Sequence, residues 1–305
     1  MRRSGPPLRL CVVAPLVALA AACASTLRPL PAPPPPFPAP VPAIVEPPFA
    51  RAATANAASL QTLPVAPFGR PETGWEIYMP MVAAEIGTDP VPQGLEFAEA
   101  LARWQRGRGL PADGVVSAAV LERVRNEVQA RRPFLRQRTQ GGPCPDAPEE
   151  AGLGWTRPAE SWGGRSNAAR SGALAAWRRM RAQAARDGAL ATPAALQVFS
   201  AFRSPTYDAQ RCAEQGNCDG VRRAACSAHR TGLAFDFVLD GVRPVDSTAD
   251  DARLRMSRSP AYRWLMLNAL RYGFVNYPFE PWHWEWTGEP VAPPPVASSP
   301  AGAGA

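Results

Sequence analysis

The sequence predicts an α+β fold: a small antiparallel sheet with flanking helices, preceded by a small helical domain. Three observations lead there. Helical and strand periodicities are mixed along the C-terminal half rather than alternating as in a doubly wound sheet. No phosphate-binding loop or dinucleotide fingerprint occurs. The two histidines among the 305 residues lie in short segments of period-two alternation near the C-terminal end.

The elements follow in chain order. Residues 1–22 read as an export signal: Arg2, Arg3 and Arg9 precede an apolar run from Leu10 to Ala22 that is too short to span a bilayer and ends in small residues. Ala20-Ala-Ala-Cys23 resembles a bacterial lipobox, which implies acylation of Cys23 and a membrane-anchored lipoprotein facing the periplasm or cell wall; cleavage nearby would instead release a soluble protein. Residues 23–75 read as a lipid-anchored linker. The chain holds 37 prolines, and the run from Pro29 onward favours polyproline II, a stiff tether. Residues 51–75 look like Ala-rich linker without a clear period.

Residues 76–137 predict a compact helical domain. Phe97, Leu101 and Trp104 recur at helical spacing, and Gly107 and Gly109 stop that helix. Ser117 caps a second helix that turns Val120, Leu121, Val124 and Val128 inward. The segment from Trp104-Gln105 through Leu110 to Asp113-Gly114 resembles a small helical peptidoglycan-binding domain; a plain helical hairpin acting as spacer is the alternative. Residues 138–160 read as a second linker. Within 161–288, Asn167–Asp187 predicts an amphipathic helix, Leu196–Phe202 a strand, and Ser259-Pro260 the start of another helix ending near Gly273. The Ala/Pro/Gly-rich tail, 289–305, reads as disordered.

The chemistry concentrates in Ser227–Asp236 and Glu280–Glu285. Asp236 follows His229 by seven residues, and Glu280 precedes His283 by three. Two imidazoles and a carboxylate suit zinc, and a further carboxylate beside a catalytic zinc takes the proton of its water. Leu233, Phe235 and Phe237 alternate with Asp236, so a strand points Asp236 away from the bulky face. Trp282, Trp284 and Trp286 alternate with His283 and Glu285; the tryptophans are expected in the core. Gly232 supplies the turn between His229 and its strand. Two neighbouring strands then bring His229, Asp236 and His283 to one point. The residues alone do not choose between Glu280 and Glu285 as base.

Ser-x-His-x-x-Gly-x-Ala-x-Asp followed by Glu-Pro-Trp-His-Trp-Glu resembles the VanY-type zinc D-alanyl-D-alanine carboxypeptidases, of the group that includes lysostaphin-like peptidases and the hedgehog signalling domain. The resemblance spans roughly residues 160–288. It implies one zinc held by His229, Asp236 and His283, with Glu280 as base. Ala201-Phe-Arg203-Ser204 resembles the family's Tyr-Arg-Ser segment, which gives Arg203 the role of binding substrate and stabilising the transition state. Gln210 matches a glutamine that often follows, and Ser227 is a turn or supporting residue near the substrate. The implied substrate is the D-Ala-D-Ala end of peptidoglycan stem peptides. The alternatives are an endopeptidase cutting an L-Ala-D-Glu bond or cross-bridge, and a non-catalytic zinc-containing wall-binding protein.

Beyond Cys23, the cysteines Cys144, Cys212, Cys218 and Cys226 remain, an even number that suggests disulfides in an oxidising compartment. Cys212 and Cys218 share one short loop and are expected to pair, with Cys144–Cys226 as the second bridge. The formal charge of +7, three of it in the export segment, fits anionic wall peptides or solvated surface charge; nucleic acid is not an expected partner of an exported chain.

Overall fold

The computed structural model describes residues 47–137, 144–214 and 226–288. The export segment, Cys23, Cys218 and the tail lie outside these residues. Glu46–Ala305 forms one compact unit.

The first helices are α1 (Ala50–Ser59), α2 (Met79–Ile86), α3 (Leu95–Arg106) and α4 (Ala118–Gln129), followed by a short α5 (Pro133–Gln137). A two-stranded ladder, β1 (Pro64–Val65) with β2 (Glu72–Thr73), lies between α1 and α2. The expected caps form: Ser117 Oγ accepts from Val120 N at 3.2 Å, and Gly107 ends α3. The expected linker over 51–75 is instead folded. Asn56 of α1 is fully buried, donating to the Gly114 carbonyl at 2.9 Å and accepting from Val116 N at 2.8 Å. An alanine-rich run carries little amphipathic signal, so this polar anchor, which depends on residues about 60 positions away, was not legible locally. Gln105 and Asp113-Gly114, the residues of the wall-binding-like motif, hold one another: Gln105 donates to Asp113 Oδ1 at 2.9 Å and accepts from Gly114 N at 2.8 Å. Gly114 has φ +72°, and a Cβ there would meet the Ala98 carbonyl oxygen at 2.6 Å.

The second half builds a hairpin-like ladder, β3 (Leu153–Trp155) with β4 (Ala168–Arg170), then the long helix α6 (Ser171–Arg186). The expected helix over Asn167–Asp187 therefore starts four residues late, because Ala168–Arg170 pair with β3. Part of the expected linker over 138–160 is likewise strand. Next come β5 (Val198–Ser200), α7 (Pro205–Glu214), β6 (Ala234–Phe237), α8 (Asp250–Arg258), α9 (Pro260–Asn268), β7 (Phe274–Asn276) and β8 (His283–Trp286). The strand expected over Leu196–Phe202 shortens to β5, since Leu196 adopts φ 59° and the pairing shifts between Val198 and Ser200. Ser259 Oγ caps α9 by accepting from Tyr262 N, with Pro260 in the first turn.

The four-stranded sheet is antiparallel throughout, in the order β5-β6-β8-β7. One face carries Phe235, Phe237, Phe274 and Trp284, which pack with Trp177 and Met180 of α6 and Tyr262 and Leu265 of α9. The opposite face carries Asp236, His283, Glu285 and Val275. Val275 joins the core of the helical half, with Met81, Phe97, Leu121 and Val124. The helical half thus covers part of the sheet face that holds the histidine.

Candidate metal centre

β6 and β8 pair so that Asp236 lies directly opposite His283. Residues directly opposite in an antiparallel pair project to the same face, which brings both side chains together. His229 arrives from the 3₁₀ turn Ala228–Thr231, closed by Gly232 at φ +69°. A Cβ on Gly232 would approach Pro148 Cγ and Arg170 Cγ to 3.1 and 3.2 Å, so glycine fits both the conformation and the space.

The three groups converge. His229 Nε2 lies 3.1 Å from Asp236 Oδ2, and His283 Nδ1 lies 2.9 Å from Asp236 Oδ1. All three are buried, and one ligand atom from each falls within 4.8 Å of the others. His229 Nδ1 sits 2.6 Å from the Ala201 carbonyl oxygen. A carbonyl only accepts, so the ring proton belongs on Nδ1 and Nε2 carries a lone pair. Burial, helped by the Arg203 charge, pushes His229 down to about 4, so the ring is neutral at pH 7. A bare acceptor nitrogen then faces a carboxylate oxygen across 3.1 Å, which is repulsive unless a cation lies between them. The donor set therefore fits a divalent metal, and His₂Asp suits zinc.

Glu280 and Glu285 differ in their surroundings. Glu280 Oε2 lies 4.0 Å from His283 Nδ1, and its side chain lines an open cleft with Asp236 and Arg203. Burial pushes its carboxyl up. The turn that carries it is held from both sides: buried Arg253 donates Nε to the Phe279 carbonyl at 2.9 Å, and Asn276 Nδ2 donates to the carbonyls of Pro281 and His283 at 3.3 and 2.9 Å. Arg253 also pairs with Glu72 at 2.8 Å, tying this turn to β2. Glu285 is 1% exposed and committed elsewhere. Its Oε1 accepts from Arg132 Nε at 2.7 Å, and its Oε2 accepts from Phe134 N at 2.9 Å. The same Oε1 lies 3.5 Å from His283 Nε2, which has no hydrogen-bond partner of good geometry.

Arg203 is 18% exposed on its side chain, lies 3.6 Å from Asp208 Oδ1 and 3.9 Å from Asp236 Oδ2, and lines the cleft. Its buried Nε has no hydrogen-bond partner among the described residues. Ser227 Oγ donates to Asp208 Oδ2. Ser227 thus fixes the carboxylate that faces Arg203 and does not itself line the cleft. Gln210 is not brought to the site: it lies exposed on α7, bonded to Glu214 at 2.6 Å, one turn on. Asp208 and Arg132 were missed from sequence. Asp208 had a signal, since it lies five residues after Arg203 at the start of a helix; Arg132 had none, being 153 residues from Glu285.

A disulfide joins Cys144 to Cys226, close before Ser227. Cys212 is also disulfide-bonded; the expected Cys212–Cys218 bridge falls on Cys218, outside the described residues.

The fold and site define a small antiparallel sheet presenting a His-Asp-His set, a candidate metal site, beside the Glu280 carboxylate. Residues 166–289 match the family model VanY, D-alanyl-D-alanine carboxypeptidase. A solved structure of the LdcB LD-carboxypeptidase, reported as revealing the molecular basis of peptidoglycan recognition, is similar at 21% identity with a TM-score of 0.34, covering 48% of this chain and 72% of that one. No curated protein sequence matches.

Proposed function

We propose that the chain is a zinc-dependent peptidoglycan carboxypeptidase that removes the terminal residue of D-Ala-D-Ala stems. The observation that carries this reading is the acceptor-against-acceptor contact of His229 and Asp236 at the wall of a cleft that also receives Glu280 and Arg203, inside the VanY-type segment. His229, Asp236 and His283 would hold the metal. When bound, zinc polarises a carbonyl and makes water a nucleophile near neutral pH. Glu280 takes the proton of the attacking water and returns it to the leaving amine. Glu285 is not available for that work, because Arg132 and the Phe134 N–H occupy it. Arg203 receives the substrate carboxylate or the developing oxyanion. Residues 1–23 support export and acylation at Cys23, which would hold the enzyme at a membrane facing the wall. No helix among the described residues is long and apolar enough to cross a membrane.

The test is mass spectrometry of purified muropeptides incubated with the zinc-loaded protein and with Glu280→Ala. Loss of one terminal alanine in the wild type alone supports the carboxypeptidase. Cleavage inside the stem moves the assignment to endopeptidase, and no cleavage with zinc bound overturns the enzyme reading.

A further inference from the structure

The cleft beside the metal set has a volume of about 1080 Å³. This is just above the range that holds drug-sized ligands, roughly 300–1,000 Å³, and far more than a terminal dipeptide fills. Its charge is uneven. Arg203 serves the metal end, and Arg70 on the rim is tied to Asp250 at 2.8 Å. Three other lining arginines, Arg165, Arg211 and Arg243, have no carboxylate partner among the described residues. Arg243 stacks over Trp162 at 5.2 Å and Arg211 over Tyr207 at 5.6 Å. Stacking orients a guanidinium plane while leaving its N–H edges for a bidentate acceptor. The carboxylates in the lining are Asp236, Glu280 and Asp246, the first two assigned to the metal and the base.

A peptide ending in D-Ala-D-Ala has one terminal carboxylate, which Arg203 is placed to receive. The three remaining arginines exceed that need. We infer that Arg165, Arg211 and Arg243 recognise internal free carboxylates of an extended acidic stem peptide, so that the enzyme prefers stems with those carboxylates free over stems in which they are amidated. The inference rests on the proposed function for the peptide class, while its charge argument stands on the cleft. Each contact lies at a solvent-open surface, where an ion pair contributes only about a twofold effect; three together amount to roughly tenfold.

The experiment compares two synthetic stem pentapeptides, one with free internal carboxylates and one with them amidated, against the full zinc-loaded chain. Binding is read by calorimetry on Glu280→Gln, and turnover by kcat/KM on the wild type. The expected result is roughly tenfold preference for the free acid in both, abolished in Arg165→Gln/Arg211→Gln/Arg243→Gln. Equal affinity and turnover for the two peptides overturns the inference and leaves the carboxypeptidase standing. A binding preference without any cleavage upholds the inference and overturns the carboxypeptidase. Absence of both binding and cleavage overturns both.

Discussion

Arg132 and Glu285 form a buried ion pair, Nη2 to Oε1 2.6 Å, with side chains 8% and 1% exposed. The arginine follows α4 of the helical half; the glutamate lies two residues after His283 on β8. Arg132 also stacks over Tyr277 at 4.1 Å. The pair therefore fixes a carboxylate 3.5 Å behind the imidazole that would bind metal. Carboxylates behind metal-bound imidazoles orient the ring and strengthen it as a ligand.

Glu285→Gln is expected to weaken zinc binding by roughly 10–100-fold, with the fold retained. Competition titration against a chromogenic chelator measures it. Unchanged affinity would reduce Glu285 to a packing role.

Arg132→Met should cost about 3–5 kcal/mol of stability, because it leaves Glu285 charged, buried and unpaired. Chemical denaturation reads this directly. The double variant Arg132→Met/Glu285→Leu is expected to recover most of that loss while still binding zinc poorly.

Acid should act through the same pair. Burial pushes the Glu285 carboxyl up, but the Arg132 charge, the His283 contact and the Phe134 N–H outweigh it and hold it at about 2. The folded pKa lies below the ordinary value of 4.5. The pair's contribution is therefore full above pH 4.5 and is lost as pH falls towards 2. Thermal melts across that window should show a smaller acid slope in Glu285→Gln than in the wild type.

Glu280→Ala should lower kcat by about 10²–10⁴-fold and leave one zinc per chain. Asp236→Asn should instead lose the metal, measured by elemental analysis. A Glu280 variant with full turnover would remove it as the base.

The Cys144–Cys226 bridge closes a sequence separation of 82 residues that includes Arg203 and α7. Its loss in Cys144→Ser/Cys226→Ser should cost about 2–5 kcal/mol, read as a lower denaturation midpoint. A midpoint equal to the wild type under oxidising conditions would contradict this.

The sheet and the convergence of its ligands were legible because they rest on local signals. Alternation placed Phe235 and Phe237 opposite Asp236, glycine marked the turn after His229, and the tryptophans around His283 set strand parity. Three features were less legible, for physical reasons. Helix α1 is anchored by Asn56 on a distant loop rather than by an apolar stripe. The choice between Glu280 and Glu285 depends on Arg132, whose neighbours in sequence say nothing about β8. Gln210 follows a motif by spacing, but α7 turns it outward to Glu214.

Val275 lies next to Glu285 across the β7–β8 ladder and belongs to the hydrophobic interior of the helical half. Portability of the peptidase segment is limited by this seam. A fragment beginning at residue 161 would inherit the candidate metal ligands with an unroofed oily strand and an orphaned glutamate beside them, so it is expected to need the helical half, or a redesigned seam, to fold.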